Sequence, residues 1–497
     1  MQRVQKREGP LSPGVLVKQA ATLSTIKPPG TRAENRLLEH YQYRTVQAFS
    51  GFVKAEFWTR LLPQLVLTEP AIRYATMAVS SFHEQFEARP ASGCRAEGGP
   101  MSSPDALQYY NKAISSLVKT ISEGSRPSWI TLVLCLLFTC VEFLRKDIPA
   151  ANLHIRSGLK LLEGEYATAG FDFLTTNRYP LITPVPFTVQ DSLVPIYTRL
   201  RLLLVIFSSD SRPARRSMLT WRTMTFCSRY QSFETVDAAR SAMVSLLVET
   251  LRFRNSVMES DYSDVFEDRR IKEQRLLETK SELWSTAFER FLETRQDLPL
   301  DDRRGIIVLQ IQKSIVRYWL RTNLIPHDLS PEDCLDDFES IVHLAESFVR
   351  LAQGSDIGAQ PLRFSFEMGI IAPLFFTAFK CRDPTLRRRA IALLYCGPRQ
   401  EGSWDAISCA KAAERLVEME ERGVDLSSIA PPATPKIWCA RINFSGDGFE
   451  HNLTLRSKPS SLGGTGEEWH ERVPTCHDFT DDMVGTRGAG TQILLAG

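Results

Sequence analysis

The stretch WITLVLCLLFTCVEFLRKD, residues 129 to 147, is the longest nearly uncharged run in the chain, and it forces a choice between a membrane span and a helix enclosed by protein. A spanning helix needs about 20 apolar residues, whereas Glu142 ends an uncharged stretch that begins only after Arg126. The segments on either side also carry helical periodicity. Before the run, Leu107, Tyr110, Ile114, Leu117, Val118 and Ile121 recur at three-and-four spacing, with Ser103 placed as an N-cap and Pro104 at the first turn. After it, Ala151, Ile155, Gly158, Leu159 and Leu162 do the same, and Gly164 stands where a C-terminal cap would. The run therefore reads as the middle of three consecutive helices. A helix apolar nearly all round is one that other helices cover, so no membrane partner is expected.

Composition fits that reading. Of 497 residues, 43% are hydrophobic and 24% charged, with a formal net charge of +2, as in an ordinary soluble protein. So balanced a chain has no general attraction to nucleic acid or anionic lipid, and any DNA contact would need a local basic module. The N-terminus, MQRVQKREGPLSPGVLVKQ, places charges and prolines where a secretion signal needs an apolar core, so an intracellular protein is expected. The ten cysteines show no CxxC spacing, and Cys135, Cys140, Cys227 and Cys396 sit in apolar surroundings, which suits reduced core thiols. The sequon Asn452-Leu453-Thr454 is accordingly expected to stay unmodified.

The pattern predicts a single large all-α domain, a multi-helix array over residues 32–445, with a flexible lead-in at 1–31 and a disordered tail at 446–497. Ile72, Ala75, Val79, Phe82 and Phe86 form an apolar stripe behind Pro70. Prolines at 180, 184, 186 and 195 mark residues 173 to 195 as an irregular crossover. Helical patterns resume at 196–208, 235–256, 265–294, 301–321, 331–353, 362–381, 384–396 and 403–422, and a short extended segment is predicted from Ile437 to Phe444. Stacked helix pairs of about 34 residues are one way to build such an array, but the WxxLGxxY pattern of tetratricopeptide repeats is absent.

The sequence holds no GxSxG, P-loop, HExxH or kinase motif set. No catalytic residue, metal ligand or cofactor is assigned. His470, Cys476 and His477 match no closed zinc spacing and read as solvated tail residues, and His154 reads as a packing residue on an apolar face. Arg387, Arg388 and Arg389 form the densest basic run. Because Leu386, Ala390, Leu393 and Leu394 line the core face of the same helix, the three arginines are expected partly on its solvated side.

Three pieces, GIIAPLFFTAFKCRDP, RRRAIALL and PRQEGSWDA, lie within residues 364 to 421. Upstream, in order, stand AFSGFVKAEFWTRLL, EPAIRYATMAVSSFHE, YYNKAISSL, LCLLFTCVEFLRKDIPAANLHIRSGLKLL, YTRLRLLLVIFSS and SFETVDAARSAM. Together they resemble the fungal-specific transcription factor domain of zinc-cluster (Zn2Cys6) regulators over about residues 36 to 445. The resemblance implies a buried central helix at the opening stretch and a regulatory domain of a transcription regulator in the nucleus. It further implies a small-molecule effector between helices, or pairing with a second copy or a partner transcription factor. Arg382, Arg388, Arg399, Glu401 and Asp405 are expected to form a charged lattice that fixes one helix pair against another. Members of the family begin with six cysteines that hold two zinc ions and present a basic helix to DNA, whereas the first cysteine here is Cys94. Either the frame starts downstream of that module or direct DNA recognition has been lost, so DNA is expected as an indirect partner. A helical scaffold without a transcriptional role is the alternative.

Overall fold

Thr31 opens the first helix with a reciprocal cap: its hydroxyl accepts from the Glu34 backbone at 3.3 Å while its own amide donates to the Glu34 carboxylate at 2.8 Å. In the computed structural model the described residues are 30–51, 56–88, 104–123, 128–168, 189–207, 232–259, 264–295, 297–322, 334–353, 363–422, 437, 439–444, 450–456, 467–474 and 491–496. Helix α1 (Arg32–His40) runs through a π turn (Tyr41–Thr45) into α2 (Val46–Ser50), and a second π turn (Phe57–Leu61) leads into α3 (Leu62–Thr68). There follow α4 (Pro70–Ala88), α5 (Pro104–Ser122), α6 (Ser128–Arg145), α7 (Ile148–Thr168), α8 (Val189–Phe207), α9 (Val236–Glu259), α10 (Asp264–Glu293), α11 (Leu300–Thr322) and α12 (Leu335–Gln353). The C-terminal helices are α13 (Ile371–Lys380), α14 (Pro384–Cys396) and α15 (Ala406–Glu421).

The opening stretch forms α6, which α4, α7 and α8 cover. Leu132, Val133, Leu134, Leu136, Leu137, Cys140 and Val141 are all buried, so the helix is apolar all round because protein surrounds it. No described helix is long and apolar enough to cross a membrane. Glu142, the first charge after the run, is buried as well and is bridged by Arg145 at 2.7 Å. Between α7 and α8 the contact is close: a Cβ on Gly158 would stand 2.2 Å from the Tyr197 ring, whose hydroxyl donates to the Leu132 carbonyl of α6 at 2.8 Å. The small residue lets three helices meet at one tyrosine.

The all-α class holds, with three departures from the sequence reading. The pattern over 362–381 is helical only from Ile371, because Phe364–Ser365 is a short strand, β1, paired in parallel with β2 (Gln400–Glu401), which turns back into β3 (Trp404–Asp405). Secondly, α8 begins at Val189 and takes Pro195 inside it, and α7 continues through Gly164 to Thr168. Apolar contacts of the flanking turns, among them buried Leu193, Ile196 and Tyr197, hold the helix across the missing amide. Residues 173–188 lie outside the described residues.

The third departure is the segment after 445. Strands β4 (Cys439–Phe444), β5 (Glu450–Arg456), β6 (Glu468–Pro474) and β7 (Thr491–Ala496) form an antiparallel sheet in the order β6-β5-β4-β7, so the tail is not wholly irregular. Leu453, Leu455 and Val473 are buried, and α15 packs on β5 and β6, with Arg415 Nε reaching Glu471 at 2.9 Å. Gly and charged residues between these short apolar alternations hid the strands. The N-terminal lead-in lies outside the described residues except for Gly30 and Thr31.

Candidate functional site

Among the described residues, a dense polar knot forms where β1, β2 and β3 join N-terminal helices to the C-terminal ones. Gly402 and Ser403 close the β2–β3 hairpin, and Gly402 takes φ +55°, the left-handed value that a glycine-first two-residue loop requires. Glu401 is buried, and its carboxylate accepts from the backbone amides of Gly369 at 2.8 Å, Ile370 at 3.0 Å and Ile371 at 2.9 Å. These are amides at the N-terminal end of α13, which have no partner within the helix and favour negative charge. Burial pushes the Glu401 carboxyl up to about 7, with the three amides pulling the other way. Its neighbour Gln400 donates from Nε2 to the Phe143 carbonyl of α6 at 2.8 Å. Asp405 caps α15 through the Ser408 amide at 2.9 Å and pairs with Lys146 at 2.8 Å. Burial would raise its carboxyl, but Lys146 and Ser408 outweigh that and hold it well below the usual carboxylate range.

The knot also captures the N-terminal helices. Phe366 donates its amide to the Ala48 carbonyl of α2 at 3.2 Å, and Arg363 reaches the Glu87 carbonyl of α4 at 2.8 Å. Phe364 and Phe366 pack on Phe49, and Phe366 on Trp58 and Phe143. Glu367 then turns toward α8 and α9, where Arg199 Nε approaches it at 2.7 Å and Arg240 bonds its other oxygen. Asp237 completes the group with Arg240 at 2.7 Å. Beside these charges lies a cavity of about 40 Å³, lined also by Gln312 and by apolar residues such as Leu200, Leu203, Val244 and Val308. That is room for a water molecule or two.

The expected charged lattice exists in part, but with different partners. Arg382 and Arg387 both bond Glu420 of α15 at 2.6 Å, and Arg388 bonds Glu421 at 2.6 Å, so α14 is riveted to α15. Glu401 and Asp405 bind helix ends instead, and Arg399 lies over the Phe86 ring, 5.0 Å from its centroid. Arg387 corrects the solvated-face expectation: it is 2% exposed and also donates to the Ala378 carbonyl at 2.9 Å. Arg388 and Arg389 do face outward, the latter paired with Glu346 at 2.7 Å. Successive helical residues differ by about 100°, so three in a row cannot share one environment. His154 packs as expected, on the Phe138 ring and 3.4 Å from the Tyr110 hydroxyl. His470 lies in β6, 3.2 Å from the Thr454 hydroxyl, while Cys476 and His477 lie outside the described residues.

Sequence reasoning missed two groups: Glu367 with its arginines, and a cluster of His40, His83 and Glu87. For the latter a signal existed, since His83 and Glu87 stand four residues apart on one helix face. The arginines of Glu367 come from two other helices, and nothing local points to them.

The described architecture assembles residues from both ends of the matched pieces into one body. The fungal specific transcription factor domain family matches residues 36–163, which span α1 to most of α7. The match thus covers the N-terminal helices. The aspercryptin biosynthesis cluster-specific transcription regulator of Emericella nidulans is similar over 477 residues, at 23% identity, covering 80% of this chain and 75% of that protein. No solved structure matches the chain. The domain match and the relative together support a transcription regulator role for the chain.

Proposed function

We propose that the chain is the regulatory region of a pathway-specific fungal transcription regulator that works in the nucleus by binding and has no catalytic role. The observation that carries this is the agreement of the family match over 36–163 with a cluster-specific regulator aligned along most of the chain. The geometry supports it: matched helices α2, α4 and α6, with Lys146 just beyond α6, are tied to the distant 363–405 segment through Ala48, Glu87, Phe143 and Lys146, which gives a regulatory ligand or partner a contact path between the two ends. An effector entering between α8, α9 and α11 would have to widen the small cavity beside Glu367. A second copy or a partner transcription factor is the other regulatory input, and DNA is reached through a zinc-cluster module or through that partner.

The test joins residues 1–497 to a heterologous DNA-binding domain and measures a reporter in a fungal host, together with the location of the tagged chain. Transcription that departs from that of the DNA-binding domain alone, with nuclear enrichment, is expected. An unchanged reporter and exclusion from the nucleus would replace this reading with that of a non-transcriptional scaffold.

A further inference from the structure

Where α1 meets α4, His40, His83 and Glu87 place one potential ligand atom each within 4.8 Å of one another. The π turn that follows His40 ends at Thr45, whose buried hydroxyl lies 3.3 Å from His40 Nδ1 and 3.2 Å from His83 Nδ1. Ser80 Oγ stands 3.1 Å from His40 Nδ1 and spends its own proton on the Leu37 carbonyl at 2.7 Å, so toward the ring it can only accept. A proton on His40 Nδ1 satisfies that contact. In that tautomer the neutral ring offers Nε2, 3.4 Å from Glu87 Oε2, as a ligand atom.

We propose that His40 Nε2, the His83 imidazole and Glu87 Oε2 form a site for one divalent transition-metal ion of the zinc class. Zinc bonds of about 2.1 Å in a tetrahedron place adjacent ligand atoms about 3.4 Å apart, and the His40–Glu87 pair already has that separation. The buried Thr45 and Ser80 hydroxyls at His40 Nδ1, on the side of the ring away from Glu87, are the kind of outer contact that orients a ligating histidine. Two imidazoles with one carboxylate favour zinc-class ions over magnesium, which prefers an all-oxygen octahedron. Arg44 holds the other Glu87 oxygen at 3.1 Å, which fixes the carboxylate and also opposes a cation. His40 and Glu87 are partly exposed while His83 is buried, so the ion enters from solvent and keeps a water as fourth ligand. Bound there, it would pin the first helix of the matched region to α4.

The test is calorimetric titration of the purified full chain with Zn²⁺ against a competing chelator, alongside thermal melts in Zn²⁺ or Mg²⁺ and the absorption spectrum of the Co²⁺ form. One equivalent of Zn²⁺, a melt raised by Zn²⁺ but not Mg²⁺, and a Co²⁺ spectrum without thiolate charge-transfer bands are expected. Glu87→Gln and His40→Gln should each weaken binding by about tenfold or more and abolish the thermal shift, while His470→Gln in β6 leaves both intact. Should His40→Gln fail to fold, the more exposed Glu87→Gln decides. Unaltered Zn²⁺ affinity in Glu87→Gln, absence of binding by the wild type, or thiolate bands in the Co²⁺ form would overturn the proposal, leaving an ordinary His40–Glu87 ion pair.

Discussion

The Glu401 carboxylate binds the backbone amide of Ile371 at 2.9 Å across 30 residues of sequence, closing the N-terminus of α13 from within the core. A buried acid with its charge placed on a helix end acts both as a cap and as a titrating group. Its carboxyl is raised to about 7 by burial, above the value near 4.3 of an unfolded glutamate. Between those values the folded chain binds more protons than the unfolded one, so this group's contribution is greatest below about pH 4 and declines as pH rises through 7. Urea unfolding of wild type and Glu401→Gln from pH 5 to 8 should show the wild type losing stability relative to the variant by a few kcal/mol. A constant difference would mean that Glu401 keeps an ordinary carboxylate affinity for protons.

Arg387 and Arg388 are adjacent in sequence and differ sharply in environment. Arg387→Ala leaves Glu420 without one of its two buried guanidinium partners and should cost about 3–5 kcal/mol, read as a fall in the urea midpoint. Arg388→Ala removes a surface pair with Glu421 and should cost about 1 kcal/mol or less.

Gly158→Ala should destabilise the protein by about 1–3 kcal/mol, since the new methyl meets the Tyr197 ring and forces α7 and α8 apart. Combining it with Tyr197→Ala should give less than the sum of the two losses, because the shared contact is then gone. Full additivity in a double-mutant cycle would place the two residues out of contact.

Leu137→Asp on α6 should unfold or aggregate the chain, because an unpaired buried carboxylate costs several kcal/mol out of a total of roughly 5–15 kcal/mol. Leu153→Asp is its counterpart on the neighbouring α7, where the side chain is 67% exposed, and should leave the melting temperature unchanged. Circular dichroism melts of the two variants give the comparison directly.

Much of the helical array is legible in the chain itself, because a helix is a local structure whose apolar residues repeat every three or four positions. Hence α4, α5, α6, α7 and α9 through α12 fall close to their sequence patterns, and the short uncharged run at α6 already demanded cover from other helices. Contacts over long separations carry no such period. Only the folded chain decides that Arg387, of three successive arginines, turns to Glu420, that Glu401 reaches amides 30 and more residues away, and that Glu367 gathers arginines from α8 and α9. Residues 450–456 and 468–474 illustrate the same limit, since a strand's hydrogen bonds lie in its neighbours and a polar, glycine-interrupted segment shows no sign of them until the sheet exists. The meeting of His40 with His83 and Glu87 likewise depends on how α1 docks on α4, a relationship set by packing and not by spacing.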